Sequence, residues 1–289
     1  MTDAQIAAIG AYTPRLRIVA EEFEDAWGSF NAAGVKQKAV PEADEDALTM
    51  GVEAAERALD VAGYSGADVC HLAFATTSPP MAEEDLSARL ANVLGVPDGV
   101  TTRTMTGSTR VGAQALNGAL DAGPWGEKIA LVIISDCPKG APDSDVEHAA
   151  GAGSAALVVD GNGPGKVLDR TSHVDTYPGT RFRTGGDDKT TGLGVTQYDR
   201  EAFITTLGGA VDTLDDSLED VDAAAVQSPD GKLPYRATAA LGIDAETIAA
   251  AETVSSLGDT GAASVFIGAA TAFTQDTERL LVAAYGSGA

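Results

Sequence analysis

An internal repeat constrains this chain more than any single motif. Asp46 to Val61 has helical period and leads into the apolar run Val69 to Thr76 (VCHLAFAT); a helical stretch near Arg200 leads, at the same spacing, into Ala223 (AAAVQ). Met105 to Leu120 (MTGSTRVGAQALNGAL) is a Gly/Ser/Thr turn opening a small-residue helix, and Gly258 to Phe273 (GDTGAASVFIGAATAF) has the same form. Ile129 to Ser135 and Leu280 to Tyr285 then match as strands. Corresponding elements lie about 150 residues apart, which is a duplication and not a solenoid period. The expected architecture is α/β, two halves stacked sheet to sheet around two buried small-residue helices, with boundaries at 1–162 and 163–289 in the Gly/Pro-rich stretch Gly161 to Gly165.

Further elements follow from local pattern. Residues 4–12 read as a short buried strand, followed by an alternating Arg15, Arg17 segment, and Ala20 to Phe30 has helical period. The Asp46 helix has Asp44 as N-cap and Gly63 as stop, and a helix is expected from about Glu84 to Leu94. Ala155 to Asp160 closes the first half as a strand, whereas the second reaches Gly286-Ser-Gly-Ala289 and stops. The second sheet is therefore expected to lack a final strand, to be supplied by further chain or by another subunit.

Chemistry is expected at the first turn. A helix beginning with Thr106, Gly107, Ser108 and Thr109 points unpaired N–H groups and a positive dipole end at its surroundings, which suits an anion or a developing oxyanion. The same pattern also describes a capped core helix with no function.

Net charge narrows the partners. With 19 Lys and Arg against 43 Asp and Glu, the formal charge is −24, which excludes nucleic acid and anionic membrane as natural partners. Acidic residues scattered through Ala-rich periodic segments resemble the surface of a cytosolic protein from a salt-accumulating halophile. Cys70 and Cys137 form no C-x-x-C pair, so a zinc site or disulfide framework is not suggested. With no signal-type N-terminus and no apolar run of membrane-spanning length, the chain reads as cytoplasmic.

Several stretches, taken in order, resemble the thiolase superfamily and within it the archaeal type of 3-hydroxy-3-methylglutaryl-CoA synthase. They are Gly10-Ala-Tyr-Thr-Pro14-Arg15-Leu-Arg17-Ile18, Asp136 to Pro142 (DCPKGAP), Gln227-Ser-Pro-Asp-Gly-Lys232, Gly258-Asp-Thr260 and Gly286-Ser-Gly-Ala289. The resemblance implies a thiolase-like fold and a Claisen-type condensation on CoA thioesters. A cysteine on the first turn would carry an acetyl group, a glutamate would handle the proton, and a histidine and an asparagine would orient the second acyl-CoA. This chain departs at all four positions: Thr106 stands for the cysteine, Thr77 for the glutamate, Gln227 for the histidine and Asp259 for the asparagine. A thiolate is what such chemistry needs as both nucleophile and leaving group.

The resemblance thus implies an acyl-CoA-binding protein, non-catalytic or weakly catalytic, in a condensing-enzyme complex. The alternative is an active acyltransferase or thioester hydrolase using Thr106 or Ser108. Acyl-CoA or CoA is the expected ligand, with no covalent cofactor and no metal, its phosphates near Lys232 and Arg236. Arg236 would lie one helical turn along from Lys232 if a helix starts after Pro234. Expected partners are a second copy of the chain, a thiolase, or an OB-fold acyl-CoA-binding protein. His71 and His148 read as structural, His173 lacks a close acidic partner, and Cys137 reads as an inert buried thiol. Tyr177 to Gly194 carries Arg181, Arg183 and Lys189 in a chain otherwise short of cations, as a solvated loop or as a lid.

Overall fold

The computed structural model describes residues 4–123, 126–275 and 277–289. Nine strands form three sheets among them: β1 (Gln5–Tyr12), β2 (Leu16–Val19), β3 (Gln37–Val40), β4 (Val69–Ala75), β5 (Thr101–Met105), β6 (Ile129–Asp136), β7 (Gly153–Asp160), β8 (Ala223–Val226) and β9 (Leu280–Ala283). The largest has the order β1-β7-β6-β4-β5, with β5, β4 and β6 parallel and β7 antiparallel to both neighbours. β8 and β9 pair in parallel, and β2 with β3 makes an antiparallel hairpin.

Side chains alternate across the large sheet, and each face has its own cover. Leu72, Phe74, Leu131, Ile133, Ala156 and Val158 pack with helices α2 (Ala47–Ala62) and α3 (Leu86–Val93). Ala73, Ala75, Val132, Ile134, Leu157 and Val159 face a second core that holds α4 (Val111–Ala122) and α10 (Ser264–Phe273). That core also takes Ala223 and Ala225 of β8, while Ala224 and Val226 face α6 (Thr196–Val211). The layers therefore run helix, sheet, helix pair, sheet, helix. The two small-residue helices lie in the middle, where Gly112 brings α4 against Phe266, Ile134 and the Ala262 carbonyl. Counterparts α2 and α6, β4 and β8, α4 and α10, and β6 and β9 start about 150 residues apart.

The structure corrects several boundaries. The α2 N-cap is Asp46, whose carboxylate accepts from the Leu48 and Thr49 amides, so Asp44 does not cap it. Its end at Gly63, in the left-handed conformation, matches the expectation. Helix α1 (Ala20–Trp27) stops short of Phe30, at Gly28. The first turn is not the opening of a helix. Gly107 has φ +137°, outside helical space, and α4 begins only at Val111. Likewise Gly261–Ala263 is a short 3-10 turn ahead of α10. Strands β3 and β5 are absent from the sequence-based reading.

Candidate functional site

Two of the four positions singled out by the sequence, Thr77 and the turn of Asp259, are joined through a buried carboxylate, with a loop arginine on Asp259. Asp136, at the end of β6, is fully buried and accepts six hydrogen bonds. Its Oδ1 takes the Thr76 hydroxyl at 2.8 Å, the Thr77 amide at 2.7 Å, and the Ser78 amide and hydroxyl at 2.9 and 2.7 Å. Its Oδ2 takes the Thr77 hydroxyl at 2.9 Å and the Ala262 amide at 2.6 Å. Two segments from opposite halves of the chain are thereby fixed on one side chain. Gly261 has φ +58°, and a Cβ there would meet Asp136 Oδ2 at 2.3 Å, so this close approach requires glycine.

Asp259 sits two residues earlier on the same turn and is 3% exposed. Its Oδ1 caps the Gly261 amide at 2.9 Å, and its Oδ2 forms an ion pair with Arg181. The Arg181 carbonyl accepts from Ser287 Oγ at 2.9 Å, placing the 286–289 segment beside this loop. Gly286 in turn packs on Ser108, where a Cβ would stand 2.6 Å from Oγ. Thr109 donates its hydroxyl to the Tyr285 carbonyl, which seats the first turn on the segment that follows β9. Gln227 follows β8, donates its amide to the Ala283 carbonyl of β9 at 2.9 Å, and is buried with Oε1 lacking a partner.

Thr106, Ser108 and Thr77 line one open cleft of about 830 Å³, walled also by Glu83 to Leu86, Thr102 to Thr104 and the loop Arg181 to Asp187. Thr106 is exposed to it and Ser108 is half-buried. Among the described residues the lining contains no histidine, lysine or cysteine. Of its acids, Glu84 is held by Arg89, and Asp85 is bonded to Ser87 and Thr104, which keeps its carboxyl below the ordinary range. Asp259 and Gln227 do not reach the cleft; Arg181 stands at its wall and reaches Asp259.

The histidines are elsewhere. His71 pairs with Thr101 at the far end of β4, four residues from Ala75 and hence roughly 13 Å from the level of the turn. Burial lowers its pKa, with Arg103 adding to the effect. His148 is buried, stacked on Phe30 at 5.5 Å and tilted against Phe23 at 4.9 Å, and its Nδ1 accepts the Asn31 amide. His173 lies against Gly209 of α6. Cys137 follows Asp136; burial and then that carboxylate push its thiol above its ordinary pKa, the reverse of an activated nucleophile.

Lys232 and Arg236 are both exposed and lie away from the cleft lining. Gly231 packs on the Ala33–Gly34 loop, donating to the Ala33 carbonyl at 2.9 Å. After Pro234 the chain makes a three-residue 3-10 turn, Pro234–Arg236, in place of the α-helical turn expected there. Among the described residues no cluster suits a metal ion, and no helix is long and apolar enough to cross a membrane.

With this geometry in hand, the fold is the thiolase-like fold. The chain is similar throughout to a solved HMG-CoA synthase complexed with CoA, at TM-score 0.85 and 18% identity over 100% of this chain and 80% of that one. It is similar also to 3-oxoacyl-(acyl carrier protein) synthase III of Pseudomonas aeruginosa, at TM-score 0.85 and 17% identity over 99% and 95%. Sequence is more specific. Hydroxymethylglutaryl-CoA synthase of Methanopyrus kandleri is 30% identical over 298 residues, 98% of this chain and 84% of that protein. The synthase of Pyrococcus horikoshii is 31% identical over 297 residues, 99% and 84%. The chain belongs to the hydroxymethylglutaryl-CoA synthase family. No protein-family model matches it.

Proposed function

We propose that this family member has lost the residues for thioester chemistry and acts as a non-catalytic or weakly catalytic acyl-CoA-binding subunit of a condensing-enzyme complex. One observation carries the reading: the cleft that exposes Thr106 is lined by neither thiol nor imidazole. A threonine hydroxyl ionises far above a thiol and attacks a thioester only with a base within about 3 Å. Gln227, at the position of the family histidine, cannot take a proton, and Asp259 is already bound to Arg181. CoA as ligand is supported by the CoA held in the fold neighbour and by the exposed Lys232 and Arg236, whose charges would meet its phosphates.

Calorimetry with CoA in molar KCl tests this. Binding that weakens on Lys232→Glu at fixed salt is expected; absence of heat and of competition at millimolar CoA overturns the ligand. The second reading, an acyltransferase or hydrolase acting through Thr106 or Ser108, is favoured by the access both have to the cleft. A partner completes the first reading: a second copy, a thiolase or an OB-fold acyl-CoA-binding protein. The acidic surface is proposed as a halophilic adaptation. At a net charge of −24, thermal unfolding should move upward with KCl as the Debye length falls from about 10 Å at 0.1 M to about 3 Å at 1 M. A midpoint independent of salt contradicts it.

A further inference from the structure

Arg181 separates two places that the sequence puts in one site. On one side is the cleft with exposed Thr106; on the other is Asp259, buried and absent from the cleft wall. We infer that residues 177–194 form a gate between them, with the Arg181–Asp259 ion pair as its latch.

The segment is built to move as a unit. It contains no helix or named strand, yet Phe182 and Thr191 exchange two hydrogen bonds of 2.9 Å, and the Leu193 amide donates to the Gly179 carbonyl at 2.7 Å. Gly179 and Gly194, with φ +85° and +68°, sit near its two ends, where backbone rotation is least restricted. Tyr177 at its start packs edge-on against Tyr198 and on the core beneath α6, and the Pro178 carbonyl accepts from the Tyr198 hydroxyl; beyond Gly179 the ties to the rest of the molecule are polar. Arg181 takes Asp259, Arg183 donates to the Thr77 carbonyl at 3.1 Å, Ser287 donates to the Arg181 carbonyl, and the Thr190 amide donates to Lys139 at 2.7 Å. The two arginines of one loop thus close on Asp259 and Thr77, two of the four substituted positions.

The latch is not fully satisfied, because Arg181 Nη2 is buried without a hydrogen-bond partner. A guanidinium nitrogen left unpaired costs free energy in the closed state, so of the segment's ties the ion pair to Asp259 is the one whose removal shifts the balance furthest toward open. Opening would join the cleft to the carboxylate behind it. This holds whether or not an acyl-CoA is the ligand.

Hydrogen exchange on the full chain in molar KCl, without added ligand, tests the gate. Asp259→Asn keeps an acceptor for the Gly261 amide while removing the charge that holds Arg181. The amides of Phe182, Thr190, Thr191 and Leu193 should then exchange about tenfold faster, with those of β6 unchanged. Arg181→Lys, which keeps the charge and loses the planar fork, should give a smaller acceleration. Tryptic cleavage at Arg183 and Lys189 should rise in parallel, while cleavage at Arg57 on α2 stays constant. Unchanged exchange in the 182–193 segment overturns the latch. So does an equal acceleration in β6, which would show global destabilisation.

Discussion

The two turns that precede the middle helices stand in equivalent places about 150 residues apart and have opposite fates. Thr106 to Arg110, before α4, exposes its threonine to a cleft whose lining, among the described residues, holds neither imidazole nor thiol. Asp259 to Ala263, before α10, carries a charge, but it is buried and held by Arg181. One turn is reachable and unequipped; the other is equipped and closed. A positive helix end becomes chemical apparatus only when a reactive group and access to it coincide, and in this chain the two have been separated.

Breaking the link between the turns should have the largest effect. Asp136 serves Thr76 to Ser78 with one oxygen and Ala262 with the other, so Asp136→Asn replaces an acceptor of buried donors with a further donor. A loss of roughly 4 kcal/mol is expected in denaturant unfolding at high salt. A loss below about 1 kcal/mol would mean the turns are held independently.

Packing beneath the turns comes next. A Cβ on Gly112 would lie 2.7 Å from the Phe266 ring and 2.9 Å from Ile134, and one on Gly268 would lie 2.4 Å from the Ala251 carbonyl. Gly112→Ala and Gly268→Ala should each cost about 2 kcal/mol, one helix behaving like the other. Gly118 on α4 has only the Arg103 guanidinium, 3.8 Å away, so Gly118→Ala should gain up to about 1 kcal/mol. Unequal losses at Gly112 and Gly268 would show that the halves do not share one core.

The duplication was legible because its parts are long apolar or small-residue runs: β4, β6, β7 and α4 are written in burial. Strands β3 and β5 were not. β5 is TTRTM at the sheet edge, with Thr101 and Arg103 exposed, and it is a strand through main-chain pairing to β4 and not through its side chains. Asp44 was expected to cap α2, and the Leu48 and Thr49 amides, which donate to Asp46, show that the cap lies two residues later. At the site, Thr77, Thr106 and Ser108 were named and do share a cleft. The Arg181–Asp259 pair was beyond reach, since it spans 78 residues and starts in a loop with no period to follow.

A smaller effect, outside both turns, serves as a control. Tyr12 at the end of β1 donates its hydroxyl to Glu45, and that bond, with burial and the Glu45 charge, raises its pKa from 10.0 to about 12. The folded state therefore holds this proton more tightly than the unfolded chain. The stabilisation is full below pH 10, and it is lost as pH rises through about 12. Tyr12→Phe should flatten this part of the alkaline unfolding profile and leave exchange in the 182–193 segment unaltered. A change in that segment would tie the strand end to the gate and weaken the contrast between the turns.

The proposed loss of thioester chemistry at the first turn is tested most directly by intact-mass spectrometry after incubation with acetyl-CoA in molar KCl. Wild type should carry no acetyl adduct. Thr106→Cys should fail to condense acyl groups even if its thiol becomes acetylated, because Gln227 cannot serve as a base. A stable acetyl group mapped to Thr106 or Ser108 of the wild-type chain would contradict the account.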